Sequence, residues 1–191
     1  MERRHFLSRT AVTFGVLGLV AGCSSPPQTP AENTAKRHEI NAGVDDTLTR
    51  LYTQSPGSRE LVQKARGVLV FPSVVSAGIG IGGEYGEGEL RSGGRVIGYY
   101  KTETGSLGAT LGVQTKSVVF LFMTDAAYQQ FLSGNGWTAG ADAAVAVAKT
   151  GANGAIDSKT ANSPVIGFVL TNSGLMFNLS LNGTKVTRLD I

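Results

Sequence analysis

Residues 67–90 read GVLVFPSVVSAGIGIGGEYGEGEL. Apolar side chains recur here with a period of two, the repeat of a β-strand and not of a helix. VLVF at 68–71 is a short continuous apolar run, which predicts a buried strand stopped by Pro72. Val74 and Val75 then lead into a stretch running on to Leu90, in which Ala77, Ile79 and Ile81 take one strand face and glycine takes the other. A glycine face admits a facing sheet, a ligand or a bulge at close range, and packing is the expected use. Residues 78–83 contain G-x-G-x-x-G, but a dinucleotide fingerprint must open a helix, and the period-two pattern continues instead. Glu84, Glu87 and Glu89 are the densest acidic cluster. Glu87 and Glu89 share a strand face and have the donor chemistry for Ca²⁺. The expectation is solubilising charge on a solvent-facing strand end.

Toward the C-terminus, RSGGR at 91–95 predicts a turn and Val96 to Tyr100 the return strand. Leu107, Ala109, Leu111 and Val113 alternate, and Val118 to Met123 is the most apolar strand. Thr124 is placed to cap a helix over 125–132, with Asp125 where the helix dipole favours an acid and Ser133-Gly134 at the end. Ala141, Ala143, Val145 and Val147 alternate, which favours a strand over 142–149. Residues 165–170 and 175–181 predict a hairpin about Asn172-Ser173-Gly174, and Asn182-Gly183 a further turn. Toward the N-terminus, Ile40, Val44, Leu48 and Leu51 recur at spacings of four and three, so residues 36–53 are expected to be helical. Ser55-Pro56-Gly57 breaks that helix, and a second short one is expected over 58–66 with Leu61, Val62 and Ala65 inward. The order predicts an α+β fold: N-terminal helices packed on a strongly curved, mainly antiparallel β-sheet, barrel- or sandwich-like, with one inserted helix.

The first 35 residues have a different character. Arg3, Arg4 and Arg9 precede an apolar run over 11–21, too short to span a bilayer as a stable helix. The run ends in Val20-Ala21-Gly22-Cys23, which resembles a bacterial lipobox. Small residues let a peptidase approach extended backbone, and the cysteine thiolate is the group that attacks a lipid donor. Residues 1–22 are therefore expected to be a signal peptide and Cys23 a lipidation site. Cys23 is the one cysteine, so an intramolecular disulfide has no second partner. Arg3-Arg4-His5-Phe6-Leu7 resembles the twin-arginine export motif, and an ordinary basic start explains it equally well. Ser24 stands where an aspartate often marks inner-membrane retention, which favours an outer-membrane address facing the periplasm. Residues 23–35, rich in proline and small polar residues, are expected to be a tether reaching about 30 Å, with one domain over 36–191.

Charge and residue inventory exclude several classes of chemistry. The net charge of +3 falls to near +1 without residues 1–22, which hold three arginines and one acid. With no basic cluster interleaved with aromatics, nucleic acid is not an expected partner. Of the two histidines, His5 lies in the signal and His38 near the tether, so the core lacks a Ser-His-Asp triad or a histidine-rich zinc site. No acid pair is marked for carboxylate catalysis. The expectation is a non-enzymatic chain with no catalytic residues, no cofactor and no metal.

From about Leu61 to Ile191 the chain resembles the SYLF domain family, and within it the bacterial lipoprotein branch. The resemblance lies in ARGVLVFP (65–72), VSAGIGIGG (75–83), GYY (98–100), GSLG (105–108), LGVQ (111–114), VFLFM (119–123) with Phe131-Leu132, GADAAV (140–145), GLM (174–176) and SLNGTK (180–185). It implies a non-enzymatic lipid-binding domain, and phospholipid membrane is the partner it points to. Eukaryotic members bind phosphoinositides through a basic amphipathic N-terminal helix, and some bind actin. Here the first helix carries Asp45 and Asp46, so phospholipid binding carries over as a class while the headgroup and contacts do not. Candidate lipid contacts are Lys36, Arg37, Ile40, Val44, Leu48, Arg50, Leu51, Lys64 and Arg66. From spacing alone, packing of the helix stripe on the sheet is the favoured use of its apolar members. No protein partner is nominated; the alternative is an envelope interaction or structural module whose membrane contact is the anchor alone.

Overall fold

The structure, a computed structural model, describes residues 29–79, 81–107, 112–148, 156–176 and 180–191. The expected signal peptide, the lipobox, Arg3, Arg4, Cys23 and residues 24–28 of the tether lie outside them. So do parts of the strands expected over 106–114, 142–149 and 175–181.

The chain folds as α1 (Pro30–Gln54), α2 (Ser58–Lys64), β1 (Gly67–Ile79), β2 (Ile81–Ser92), β3 (Arg95–Leu107), β4 (Gly112–Phe122) and α3 (Asp125–Ser133). There follow β5 (Trp137–Thr138), β6 (Val145–Val147), α4 (Ser158–Ala161), β7 (Val165–Thr171), β8 (Gly174–Leu175) and β9 (Lys185–Leu189). The described strands form one sheet in the order β5-β9-β3-β2-β1-β4-β7-β6, with β8 also on β7. Every pairing is antiparallel except β6 with β7. This is an α+β fold with N-terminal helices and a strongly curved, half-barrel-like sheet, as expected.

Period two explains the two layers. On one face Leu69, Phe71, Leu90, Tyr100, Phe120 and Phe122 are buried with α3 residues Ala127, Tyr128 and Phe131 and with Trp137. Trp137 sits edge-on to Phe120, Phe122 and Phe131, with ring centroids 5.5 to 5.8 Å apart. On the other face Val68, Val70, Val119, Leu121, Ile166, Phe168 and Leu170 pack under α1 through Ile40, Val44 and Leu51. β1 and β4 are apolar on both sides because both layers use them. Thr124 caps α3 by accepting from the Ala127 N–H, and Gly134 ends it.

Four local expectations change. α1 begins at Pro30, six residues before the predicted start. Thr29 and Glu32 form a capping box, the Thr29 N–H donating to Glu32 at 2.6 Å, and proline suits the first helical turn. The stretch 30–35 is therefore helix rather than tether, with Thr29 as its cap. Pro72 does not stop β1. The register shifts between Val70 and Ser73, and proline is tolerated where the ladder is interrupted. Gly88 faces that bulge, and a Cβ there would lie 2.0 Å from the Val70 carbonyl oxygen, so close packing is what this glycine serves. Next, 77–90 is not one strand: Ile79 pairs with Ile81 and Gly78 with Gly82, so the chain reverses between Ile79 and Ile81. The G-x-G-x-x-G thus joins two antiparallel strands and opens no helix. Finally, the strand expected over 142–149 narrows to Val145–Val147, laid parallel on β7.

Candidate functional site

The residues expected to meet lipid belong to α1, α2 and the start of β1. Ile40, Val44 and Leu51 are buried against the sheet, and Leu48 packs on the same cluster. The apolar stripe is therefore core and does not lie in an acyl boundary in this fold. Gly43 explains how close the helix comes, since a Cβ at that position would meet Pro72 Cβ at 2.9 Å.

The basic candidates are paired. Lys36 Nζ lies 2.7 Å from Glu87, and Arg50 lies 3.8 Å from Asp46 while donating to Ser117 Oγ at 3.3 Å. Lys64 bonds Glu60 at 2.6 Å, and Arg66 lies 3.2 Å from Asp125. Arg37 donates to the Ile191 carbonyl oxygen at 2.9 Å. These residues do not form one site. Lys36 and Lys64 are separated by the last 18 residues of α1, about 27 Å of helix at 1.5 Å per residue, and by the turn into α2. What the fold brings together is Lys36, Ile40 and Arg50 along a cleft of about 430 Å³ between α1 and the β1–β2 hairpin, with Val75, Tyr85 and Glu87 on its other wall.

The acidic cluster is not a solvent-facing strand end. Glu89 is fully buried because α1 lies over this face. Its carboxylate accepts from Arg91, and Arg91 also donates to Asp45 of α1 at 2.6 Å. The Asn41 amide orientation that satisfies its neighbours directs Nδ2 at Glu89, the Tyr99 hydroxyl and the Arg37 carbonyl. Burial pushes the Glu89 carboxyl above its ordinary value against the opposing pull of Arg91. Glu84 points to the other face, where it accepts from Lys116 at 2.7 Å and Ser76 at 2.8 Å. Tyr85 donates to Glu87 at 2.6 Å, and its phenol is raised well above the usual range, first by partial burial and then by that carboxylate. Each acid of the cluster is thus spent on a cation or a hydroxyl. Among the described residues no group of three or more acids, histidines or cysteines is arranged to hold a metal ion. His38 is exposed on α1, away from both cores.

Two features escaped the sequence reading. One is the Asp45–Arg91–Glu89–Asn41 network that ties α1 to β2. Its only trace was an Asp45-Asp46 pair off the helix stripe. The other is an exposed apolar patch on the α1 face of the sheet, beyond the helix: Val75 at 39%, Tyr85 at 46% and Val113 at 72% exposure. No described helix is long and apolar enough to cross a membrane.

No curated protein matches the chain. Residues 103–190 match the family model Ysc84, described as Las17-binding protein actin regulator. That span runs from the second half of β3 through β9 and takes in α3, but not α1 or the cleft it covers. It is shorter than the resemblance from Leu61 onward and falls within it. The chain therefore carries, over residues 103–190, a partial match to the Ysc84/SYLF domain family.

Proposed function

We propose that this protein is a non-enzymatic phospholipid-binding module of the bacterial cell envelope, attached by lipid at Cys23 after removal of residues 1–22. One conjunction carries the reading: a chain whose resemblance to the SYLF family implies lipid binding, and which matches that family's model over 103–190, also holds the lipobox-like Val20-Ala21-Gly22-Cys23. The thiol of Cys23 would take a diacylglycerol group and the new α-amino group a further acyl chain. Several chains hold a protein firmly where one holds it marginally. Outer-membrane residence facing the periplasm follows from Ser24 in place of a retention aspartate.

Cell fractionation tests the anchor. Native protein sediments with membranes, and Cys23→Ala moves to the soluble fraction. Retention of that variant on membranes would mean that the folded domain holds there by itself. Flotation of soluble Cys23→Ala protein with phosphatidylethanolamine/phosphatidylglycerol vesicles tests the module, and no co-flotation with any bacterial phospholipid refutes it. A second reading rests on the matched family's description, which names a protein partner and an actin role for its members. On that reading the domain is an interaction module, expected to crosslink to an envelope protein in intact cells and not to float.

A further inference from the structure

We infer that the exposed patch Val75–Tyr85–Val113 is the surface this domain lays on the bilayer that carries its anchor. The inference rests on the anchoring proposed for Cys23 and adds to it an orientation and a contact surface.

The first ground is the length of chain before the fold. α1 starts at Pro30 with Thr29 as its cap, and Thr29 is six residues after Cys23. Six Cα-to-Cα steps span at most about 20 Å even when fully extended. The N-terminal end of α1 is therefore held at the membrane surface, and the domain has no tether on which to tumble freely. The second ground is what lies at that end. Thr29 to Lys36 is about 10 Å along the helix, and Lys36 Nζ reaches Glu87, two residues from Tyr85 on the same strand face. Tyr85 and Val75 are Cα partners across β1 and β2. Val113 belongs to β4 at the position paired with Ala77, two residues from the Thr115 that pairs with Val75. The register also places Ile79, Ile81 and Leu107 at this end of the sheet, and no acid or base occurs between Ala77 and Gly83.

The chemistry suits the boundary between headgroups and acyl chains. Val75 stands beside a tyrosine whose hydroxyl is already satisfied by Glu87, Val113 follows on the next strand, and amphipathic aromatics settle at that depth. Lys101, on the neighbouring β3 strand, is bonded to Glu103 at 3.0 Å, so the rim is charged but balanced. A patch of three side chains is far smaller than the roughly 1,000 Å² that a stable protein partner requires. It is sufficient for a surface already held nearby by covalent attachment, because the effective concentration is high.

The test uses the full lipidated chain. Val113→Cys is labelled with an environment-sensitive nitrobenzoxadiazole dye and reconstituted in phosphatidylethanolamine/phosphatidylglycerol vesicles. Arg95→Cys, at the start of β3 and the far end of that strand from Leu107, is the reference. Acylation of Cys23 takes up the native thiol and is verified by mass. The expected result is a shift to shorter emission wavelength at 113, quenched by lipids spin-labelled near the headgroup, with neither effect at 95. A water-like signal at 113 in a protein that is acylated and vesicle-bound overturns the contact surface but leaves the anchor intact. An emission shift that lipid spin labels do not quench also overturns it, since protein rather than lipid would then cover the patch. Absence of acylation at Cys23 overturns the anchoring and, with it, the orientation.

Discussion

Leu51→Ala separates the two roles open to α1, core layer or lipid-binding element. Leu51 is fully buried, in one cluster with Val44, Val68, Val119 and Leu121. Truncation removes three carbons, about 2.4 kcal/mol at roughly 0.8 kcal/mol per buried methylene. The cavity left behind adds to this, because β1 and β4 are clamped by ladders on both sides and have little room to collapse inward. The expected loss is about 3 to 4 kcal/mol. Urea unfolding followed by far-UV circular dichroism on soluble Cys23→Ala protein measures it as a lower midpoint at unchanged slope. Val113→Ala is the comparison. Its side chain is mostly exposed, so its cost should stay within about 0.5 kcal/mol. The core assignment fails if Leu51→Ala costs under about 1 kcal/mol, or if it weakens vesicle binding while stability is unchanged. Either result would mean that α1 leaves the sheet to meet lipid.

Glu89→Gln tests the buried network through pH. The folded-state pKa of Glu89 is raised, so its titration favours the fold below about 4.5, the ordinary value, and that contribution is lost as pH rises through the folded value. Native protein should therefore lose stability relative to Glu89→Gln between pH 4 and 8; a constant difference in urea midpoint, or the opposite sign, contradicts the assignment. Gly88→Ala should cost at least about 2 kcal/mol, because the new methyl group meets the Val70 carbonyl, whereas Gly105→Ala, with nothing within 4 Å, should be near neutral by the same measurement. Vesicle binding by soluble Cys23→Ala protein should fall less than about threefold between 50 and 300 mM salt, since paired cations release few counter-charges on docking. A tenfold fall in co-flotation would reveal a basic surface that these pairings do not leave.

The strand over Val68 to Phe71 was legible because a short continuous apolar run is a local signal, and both its faces do fill a core. The caps at Thr124 and Gly134 were legible for the same reason. Reversal between Ile79 and Ile81 was not. Glycine-rich sequence in a strand and glycine-rich sequence at a hairpin read alike until a partner strand is known, and here the partner is the next segment of the same chain. The start of α1 was overlooked although Thr29-Pro30-Ala31-Glu32 spells a capping box, because two nearby prolines, Pro26 and Pro27, outweighed it as a linker signal. Glu89 was misplaced because its environment is set by α1, a helix about 40 residues upstream. No local pattern reports what a distant helix covers.

The pairing of charges on α1 bears on how a membrane module of this kind can work. Each exposed cation near an anionic surface contributes about 1 kcal/mol of attraction. Lys36, Arg50, Lys64 and Arg66 each have an acid within 4 Å, so their pull on a bilayer is largely cancelled. A helix that must bind lipid unaided needs an unbalanced basic face and an apolar face free of the fold. Here the apolar face is buried with Val68 and Val70, and Asp45 is committed to Arg91. Such a helix is built to hold a sheet in place. If acyl chains at Cys23 supply residence, the selective demand on the domain changes from affinity to orientation. Orientation needs only a small apolar surface near the tethered end, where Lys36 pairs with Glu87 beside Tyr85.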